Sequence, residues 1–232
     1  SLVVVRFVCA GSGRAVLFRF AQAGARLVIQ DLEQDALDSL VQHLKDHHNV
    51  DALGFCCDVA DVERVEHCVT QAIGQFGGID VLINNAGVTH RSTFADTTLD
   101  VFRRIMDINY FGAVHCTHAA LPSLIERHGQ IIVMSSLSGF SPLLYRSAYN
   151  ASKHALHGLF ETLRCELAGS GVGVMLVCPG FTATDLRKNA LVGDASISAQ
   201  PPLAMGKVAS AQEVAEAIYR AAVKRKRLLV MS

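Results

Sequence analysis

The sequence predicts an α/β protein with a doubly wound parallel sheet, and three observations lead to that fold class. Short, wholly apolar segments alternate along the chain with longer amphipathic segments. The apolar segments show no alternation with polar residues, which is typical of strands buried on both faces. The intervening helices are about ten or more residues long, which favours βαβ units in three α/β/α layers.

Seven strands are predicted from short runs of branched apolar residues. They cover residues 3–8, 25–29, 53–57, 81–83, 131–134, 172–177 and 228–230. Helices are predicted where apolar residues recur with the period of an α-helix. They cover residues 14–23, 35–45, 61–76, 98–120, 147–168 and 211–223. The irregular stretch 185–208 is long enough to be functional, so we expect one domain over 1–232 with a flexible lid near 185–208.

Composition excludes several classes of protein. Of the 232 residues, 50% are hydrophobic and 18% are charged, which excludes an intrinsically disordered chain. The 21 Lys and Arg balance the 21 Asp and Glu, so no nucleic acid partner is expected. The longest uncharged stretches are broken by Gly, Pro, Ser and Thr, so no membrane span is expected.

The cysteines bear on the cellular compartment. There are 7, an odd number with no CxxC pair, which favours reduced thiols and a cytoplasmic location. The chain begins with Ser1, so a removed N-terminal targeting segment is left open. No metal site is expected, because two pairs of histidines at i,i+3 spacing lack a third ligand.

A glycine-containing turn follows the first predicted strand. Gly11, Ser12 and Gly13 precede a helix, where backbone amides at a helix N-terminus meet phosphate groups. Asp31 ends the second strand, where a dinucleotide site places the carboxylate that binds the ribose hydroxyls. Because that carboxylate would repel a phosphate on the ribose, NAD is favoured over NADP. The alternatives are a turn shaped by steric need and, for Asp31, a helix cap.

Other candidate cofactor residues follow later strands. The pair after the third strand could flank an adenine or form an ordinary turn. The Asn-Asn-Ala-Gly segment at 84–87 could bind a ribose or lock adjacent strands, and the sequence does not separate these roles. The segment after the sixth strand could hold a carboxamide or form a capped turn. The candidates are Asp58, Val59, Asn85, Ala86, Gly87, Pro179, Gly180, Thr182 and Thr184.

Tyr149 and Lys153 are the candidates for the chemistry. They are four residues apart on a predicted helix and therefore share a face. An ammonium group near a phenol favours the phenolate, and such a tyrosine can exchange a proton with an alcohol or carbonyl oxygen. Ser136, at the end of the fifth strand, could donate to the same oxygen. Asn109 lies mid-helix in an apolar setting, where its amide could bond a main-chain carbonyl or hold a water.

Together these residues resemble the short-chain dehydrogenase/reductase family over nearly the whole chain. Their joint order and spacing carry the resemblance, from the Asn-Asn-Ala-Gly segment through Asn109, Ser136, Tyr149 and Lys153 to Pro179-Gly180. Residues 98–112 and 140–153 are most similar to the branch that includes the vertebrate member 7 proteins. The resemblance implies a Rossmann-type sheet of about seven parallel strands and a homodimer or homotetramer.

The resemblance also implies a role for each member of a catalytic tetrad. Tyr149 would be the acid–base residue, and Ser136 would polarise and position the substrate oxygen. Lys153 would lower the pKa of Tyr149 and bind the nicotinamide ribose. Asn109 would support a water that relays protons, and Tyr149 and Lys153 would both contact the cofactor.

The glycine turn departs from the family pattern. Cys9 stands at the first glycine of T-G-x-x-x-G-x-G, Gly13 matches the second, and the two following positions are missing before Arg14. Such a turn should hinder close approach of a pyrophosphate. Three explanations remain open: absent turn residues, an altered turn that still binds, and a member that lost tight binding. The first is favoured because the tetrad is complete.

The expected function is NAD(H)-dependent oxidation and reduction of a secondary alcohol and ketone. The expected substrate walls are apolar, namely Leu137, Phe140, Leu143, Leu144 and Phe181, which favours a lipophilic compound. One alternative is an NADP-dependent carbonyl reductase. Another, from a different class, is a non-catalytic interaction protein on the same fold, suggested by the altered glycine turn.

Overall fold

The computed structural model describes residues 3–7, 12–180, 191–196 and 209–231, and these contain one parallel sheet. Its strands are β1 (Val3–Phe7), β2 (Arg26–Asp31), β3 (Ala52–Cys56), β4 (Val81–Asn84), β5 (Gln130–Met134), β6 (Gly173–Pro179) and β7 (Leu228–Met231). They lie in the order β3-β2-β1-β4-β5-β6-β7, with every neighbouring pair parallel. The predicted doubly wound parallel sheet is confirmed.

Helices connect the strands in the predicted alternation. They are α1 (Ser12–Gln22), α2 (Gln34–His48), α3 (Val62–Phe76), α4 (Leu99–Met106), α5 (Gly112–Glu126), α6 (Ser147–Glu166) and α7 (Ala211–Val223). Two of their starts are capped by side chains, which satisfy backbone N–H groups at the start of a helix. The Asp61 carboxylate accepts from the Arg64 N–H at the start of α3, and Ser210 and Glu213 form a capping box at the start of α7.

The single helix predicted over 98–120 is wrong in two respects. A π-helical turn, Asp107–Phe111, separates α4 from α5, and the helical segment continues to Glu126. In this turn the Gly112 N–H donates to the carbonyl of Asp107, five residues earlier. A Cβ at Gly112 would lie 2.6 Å from Val59 Cγ2, so this glycine lets the helix approach the loop after β3. Hydrophobic periodicity cannot reveal one extra residue in a turn.

Helices cover both faces of the sheet, and alternate strand residues point into opposite layers. On one face Val28 and Leu82 pack with Phe160 of α6 and with residues of α3 and α5. On the other face Ile29 and Ile83 pack with residues of α1, α2 and α7. The three-layer α/β/α arrangement is therefore confirmed.

The strand order reverses at β1, whose neighbours β2 and β4 lead to opposite edges of the sheet. In open parallel sheets, ligands bind outside the carboxyl ends of the strands at such a reversal. Asp31 on β2, Asn84 on β4 and Met134 on β5 all end their strands at this edge. The topology thus places the predicted site residues that follow these strands along one crevice.

Part of the predicted lid is described, and it is bonded to the loop after β4. The Leu191 N–H donates to the Thr89 carbonyl at 2.9 Å, and the Leu191 carbonyl accepts from the Arg91 N–H at 2.7 Å. The Gly193 carbonyl accepts from the Thr98 N–H at 2.9 Å. Apart from 191–196, the predicted lid lies outside the described residues.

Phe160→Ala should cost about 3–5 kcal/mol of unfolding free energy, because this fully buried ring fills the layer between α6 and the sheet. Urea unfolding would measure the loss. The control is Val223→Ala at the exposed end of α7, which should change stability by less than about 0.5 kcal/mol. Equal losses in the two variants would contradict this account of the core.

Candidate functional site

Helix α6 supplies two of the predicted catalytic residues. Tyr149 and Lys153 both lie on its buried face, with 8% and 4% of their surface exposed. The Lys153 Nζ is 5.6 Å from the centre of the Tyr149 ring. The structure therefore brings the two side chains together, as the i,i+4 spacing predicts.

Lys153 is a buried cation that a backbone carbonyl holds in place. Its Nζ donates to the carbonyl of Met134, at the end of β5, over 2.8 Å. Burial lowers the pKa of Lys153 to about 8, and the nearby thiol of Cys178 opposes this shift only in part. Lys153 is therefore a hydrogen-bond donor that can exchange its proton close to neutral pH.

Burial and the neighbouring side chains shift the pKa of Tyr149 in opposite directions. Burial raises the pKa of the phenol, whereas a hydrogen bond with Ser136 and the positive charge of Arg146 lower it. Ser136 stands between β5 and a short 3-10 turn, and its Oγ accepts from the Ser138 N–H at 3.2 Å. This bond fixes the serine hydroxyl beside the phenol.

Asn109 lies in the π-helical turn and is 1% exposed. Its Nδ2 donates to the Val88 carbonyl at 3.0 Å and to the Ser152 Oγ at 2.9 Å. Its Oδ1 accepts from the Val88 N–H at 2.8 Å. One amide thus ties the loop after β4 to α6, and of the two roles considered for it, bonding to a main-chain carbonyl is the one the structure shows.

The bond that the structure gives the Asn-Asn-Ala-Gly segment through a side chain runs to a helix and not to an adjacent strand. Asn84 is buried, and its Nδ2 donates to the Thr117 Oγ1 of α5 at 2.8 Å, which locks helix to strand. The next three residues, Asn85, Ala86 and Gly87, are partly exposed at the crevice. Only this part of the segment is open to a ligand.

Two predicted acidic residues lie beyond β2 and β3. The Asp31 Oδ1 accepts from the Leu32 and Glu33 N–H groups at 2.6 and 3.2 Å, which makes it a turn-forming residue at the end of β2. Asp58 is exposed, and its Oδ1 accepts from the Ala60 N–H at 3.0 Å. Val59, beside it, is buried against Gly112. These bonds orient both carboxylates.

The other predicted cofactor residues divide into two groups. Ser12 and Gly13 begin α1, while Pro179 ends β6 and the Gly180 N–H donates to the Met231 carbonyl at 2.7 Å. All of these lie at the carboxyl edge of the sheet. Three predicted positions, namely Gly11, Thr182 and Thr184, lie outside the described residues.

The structure adds a cluster that the sequence analysis missed. Arg146 donates from Nη1 to the Thr89 Oγ1 at 2.5 Å. Its positive charge opposes the rise in the pKa of Tyr149 that burial causes. Neighbouring His90 is fully buried, and burial, followed by the charge of Arg146, lowers its pKa to about 4. The signal for Arg146 in the sequence was its position three residues before Tyr149. Its partner Thr89 is 57 residues away, so sequence spacing could not reveal their contact.

Two absences concern only the described part of the chain. It contains no group of three or more His, Cys, Asp or Glu side chains that could hold a metal ion. None of its helices is long and apolar enough to cross a membrane. His157, from one of the histidine pairs noted above, lies 2.9 Å from the Ser135 Oγ through its Nε2.

Comparison with known proteins identifies the family. A family model described as short chain dehydrogenase matches residues 2–193. The chain belongs to the short-chain dehydrogenase family. This dehydrogenase is 37% identical to dehydrogenase/reductase SDR family member 7B of Mus musculus, over 100% of its own length and 73% of that protein. It is 31% identical to the 7-like protein of Drosophila melanogaster, over 100% and 72%. The member 7 branch predicted from the sequence is confirmed.

Solved structures agree with this assignment. A short-chain dehydrogenase/reductase from Burkholderia phymatum in complex with NAD matches with a TM-score of 0.88 and 26% identity, covering 99% of this chain and 88% of that one. A short-chain dehydrogenase from Sphingobium yanoikuyae in complex with NADPH matches with a TM-score of 0.86 and 25% identity, covering 99% and 87%. Structural similarity thus extends to relatives that bind either nucleotide.

Lys153→Met should change the pH dependence of stability. The pKa of Lys153 is about 8 in the folded protein against 10.5 ordinarily, so between these values the unfolded chain holds more protons. The contribution of Lys153 to wild-type stability therefore rises with pH across this window, and the variant lacks that contribution. We expect the stability of the wild type minus that of the variant to increase by about 3 kcal/mol from pH 7 to pH 11, as measured by urea unfolding.

The control for this experiment is Lys45→Met on the exposed side of α2. As a surface substitution it should alter stability by less than about 0.5 kcal/mol at each pH. A wild-type minus Lys153→Met difference that stays constant with pH would contradict a depressed pKa for the buried lysine.

Proposed function

We propose that this dehydrogenase interconverts a secondary alcohol and a ketone with NAD(H), and that Tyr149 moves the proton. The observation that carries the proposal is the buried phenol, which bonds to Ser136 and lies beside Lys153. A phenol in this setting can give a proton to a carbonyl oxygen or take one from an alcohol. Membership of an oxidoreductase family supports the same reaction type.

Each member of the tetrad has one task in this reaction. During ketone reduction Tyr149 gives its proton to the ketone oxygen, and Ser136 donates a hydrogen bond to that oxygen. The Lys153 ammonium donates a hydrogen bond to the Met134 carbonyl and can return a proton to the phenol. Asn109 fixes the loop after β4 against α6 and supports a relay water. In alcohol oxidation Tyr149 takes the proton instead.

Gly87 lies next to two members of the tetrad. A Cβ at Gly87 would lie 3.4 Å from the Asn109 Oδ1 and 3.7 Å from the Lys153 Nζ, so a cofactor held at this segment would lie beside both residues. The cofactor supplies the hydride transfer, and the protein supplies its orientation. We propose as its binding residues Gly11, Ser12, Gly13, Asp31, Asp58, Val59, Asn85, Ala86, Gly87, Tyr149, Lys153, Pro179, Gly180, Thr182 and Thr184.

NAD is proposed over NADP because of Asp31. This carboxylate ends β2 at the crevice, and its Oδ1 is fixed by two backbone amides. A fixed negative charge there accepts hydrogen bonds from ribose hydroxyls and repels a ribose phosphate. The alternative, an NADP-dependent carbonyl reductase, remains the second candidate within the enzyme class, because solved relatives bind either nucleotide.

A lipophilic substrate is proposed from the walls of the site. The segment after Ser136 exposes large apolar side chains, with Phe140 49% and Leu144 80% exposed. Leu137 and Leu143 are partly exposed beside them, and Phe181 lies outside the described residues. Exposed apolar surface next to a catalytic group favours an apolar ligand.

We further propose a cytoplasmic enzyme of one domain that forms a homodimer or homotetramer. Helix α5 exposes Ile125, and the adjoining π-helical turn exposes Phe111, at 40% and 44%. Apolar side chains on a helix surface are suited to a contact with a second copy of the chain. The balanced charge of the chain argues against nucleic acid as a partner.

Tyr149→Phe should lower turnover by about 10²–10⁴-fold, because it removes the proton that reaches the substrate oxygen. The assay is NADH oxidation with acetophenone and cyclohexanone as probe ketones. NADH affinity, measured by fluorescence titration, should change little because the ring remains.

Tyr219→Phe is the matched control, because Tyr219 packs on Phe20 in the layer away from the site. Its turnover should equal that of the wild type. Retained turnover in Tyr149→Phe would overturn the role of the phenol.

Asp31→Ala should reverse the cofactor preference. We expect the wild type to bind NADH with micromolar affinity and NADPH roughly tenfold or more weakly, because like charges repel in the crevice. Removing the carboxylate should weaken NADH and strengthen NADPH, as measured by calorimetry. The control is Asp38→Ala, which removes the same charge from the exposed side of α2. Equal binding of the two nucleotides by the wild type would contradict the NAD assignment.

A candidate function from a different class is a non-catalytic interaction protein on this fold. The altered glycine turn favours it, since Cys9 replaces a glycine that the family places at the pyrophosphate. The same calorimetric titration separates the two candidates. An interaction protein needs no nucleotide, so absence of binding to both NADH and NADPH would support it.

A further inference from the structure

We infer that His157 is a positioning residue that holds the turn between the catalytic serine and the apolar substrate wall. That turn is the 3-10 segment Leu137–Gly139, with Ser136 at one end and Phe140 at the other. The inference rests on the proposed function, in which Ser136 bonds to the substrate oxygen and Phe140 forms part of the wall. It assigns the support of both ends of the turn to one imidazole ring.

His157 lies on the same face of α6 as the two proposed catalytic residues of that helix. Tyr149, Lys153 and His157 follow one another at intervals of four residues, so they lie one helical turn apart. Lys153 Nζ bonds to the carbonyl of Met134, and His157 bonds to the next residue along the chain, Ser135. Successive turns of α6 therefore contact successive residues at the end of β5.

The first contact of His157 is polar. Its Nε2 lies 2.9 Å from the Ser135 Oγ and 3.6 Å from the Cys178 Sγ. Ser135 is 4% exposed, and its backbone N–H donates to the Val177 carbonyl of β6 at 2.8 Å. A hydroxyl and a thiol from the ends of two neighbouring strands thus meet one ring nitrogen. These contacts fix the residue that immediately precedes Ser136.

The second contact of His157 is with the apolar wall. Its ring meets the Phe140 ring edge to face, with the two ring centres 5.0 Å apart. Phe140 is 49% exposed, so about half of its surface remains accessible beyond the imidazole. Edge-to-face ring pairs are stabilising beyond the burial of their area. The imidazole therefore supports the exposed phenylalanine from within the protein.

Gly139 lets the turn lie directly on the imidazole. A Cβ at this position would clash with the His157 Nε2 and would lie 2.7 Å from the Ser135 Oγ. The Gly139 N–H donates to the Ser136 carbonyl at 2.9 Å, which closes the turn. The absence of a side chain at Gly139 thus allows the turn, the hydroxyl and the imidazole to meet.

The two contacts of His157 predict different kinetic effects. The contact with Ser135 fixes the hydroxyl that Ser136 presents to the substrate oxygen, so its loss should lower kcat. The contact with Phe140 fixes the wall, so its loss should weaken binding of an apolar ketone and raise KM. A residue that only stabilised the fold would not separate kcat from KM in this way.

The test uses one variant for each contact, with acetophenone and NADH as substrates. Ser135→Ala removes the hydroxyl and leaves the imidazole beside Phe140. We expect kcat to fall about tenfold and KM to change less than about twofold. His157→Gln places an amide where Nε2 lies, so it keeps a hydrogen bond to Ser135 and removes the ring. We expect KM to rise about three- to tenfold and kcat to change less than about twofold.

Two further variants serve as controls. His154→Gln removes an exposed histidine of the same helix, whose Nδ1 contacts the carbonyl of Asn150, and it should leave kcat and KM unchanged. Phe140→Ala tests the wall directly and should raise KM at least as much as His157→Gln does. Thermal unfolding of each variant would show that it remains folded.

Hydrogen exchange supplies a readout that needs no substrate. If His157 holds the turn through Ser135, loss of that contact should let the turn open more often. We expect the Gly139 amide, followed by NMR, to exchange about tenfold or more faster in Ser135→Ala than in the wild type. His154→Gln should leave this exchange rate unchanged.

Specific results would overturn the inference. Equal falls in kcat in Ser135→Ala and His157→Gln, with KM unchanged in both, would indicate a general loss of packing. An unchanged KM in Phe140→Ala would remove the wall from the argument. Unchanged exchange of the Gly139 amide in a protein that turns over would overturn this inference alone. A wild type without turnover would overturn the proposed function, and the kinetic role of His157 with it.

Discussion

The burial of the Lys153 ammonium is the constraint on which the site depends. Burying a charge in a protein is unfavourable unless hydrogen bonds compensate it, and here the bond that the structure gives Nζ is to the carbonyl of Met134. That bond exists only if α6 lies against the end of β5. The register of α6 on the sheet, the position of Tyr149 one turn earlier and its bond with Ser136 therefore all depend on the same contact.

Asn109 maintains this contact from the opposite side of the crevice. Its single amide satisfies both backbone groups of Val88 and the hydroxyl of Ser152, so it joins the loop after β4, the π-helical turn and α6. A regular α-helical turn would place the amide elsewhere on the helix surface. The extra residue of the π-helical turn is thus explained by the partners of Asn109, and such turns often occur at functional sites.

The sequence predicts the fold and the shared face of Tyr149 and Lys153 on α6 because both depend on local sequence patterns. The helices and the Tyr149 to Lys153 spacing follow from a period of 3.6 residues, and the strands follow from short apolar runs. Contacts between distant segments are different. The bond from Asn84 to Thr117 spans 33 residues and that from Arg146 to Thr89 spans 57, and no short-range pattern encodes either one. The helix contact of Asn84 and the partner of Arg146 therefore required the structure.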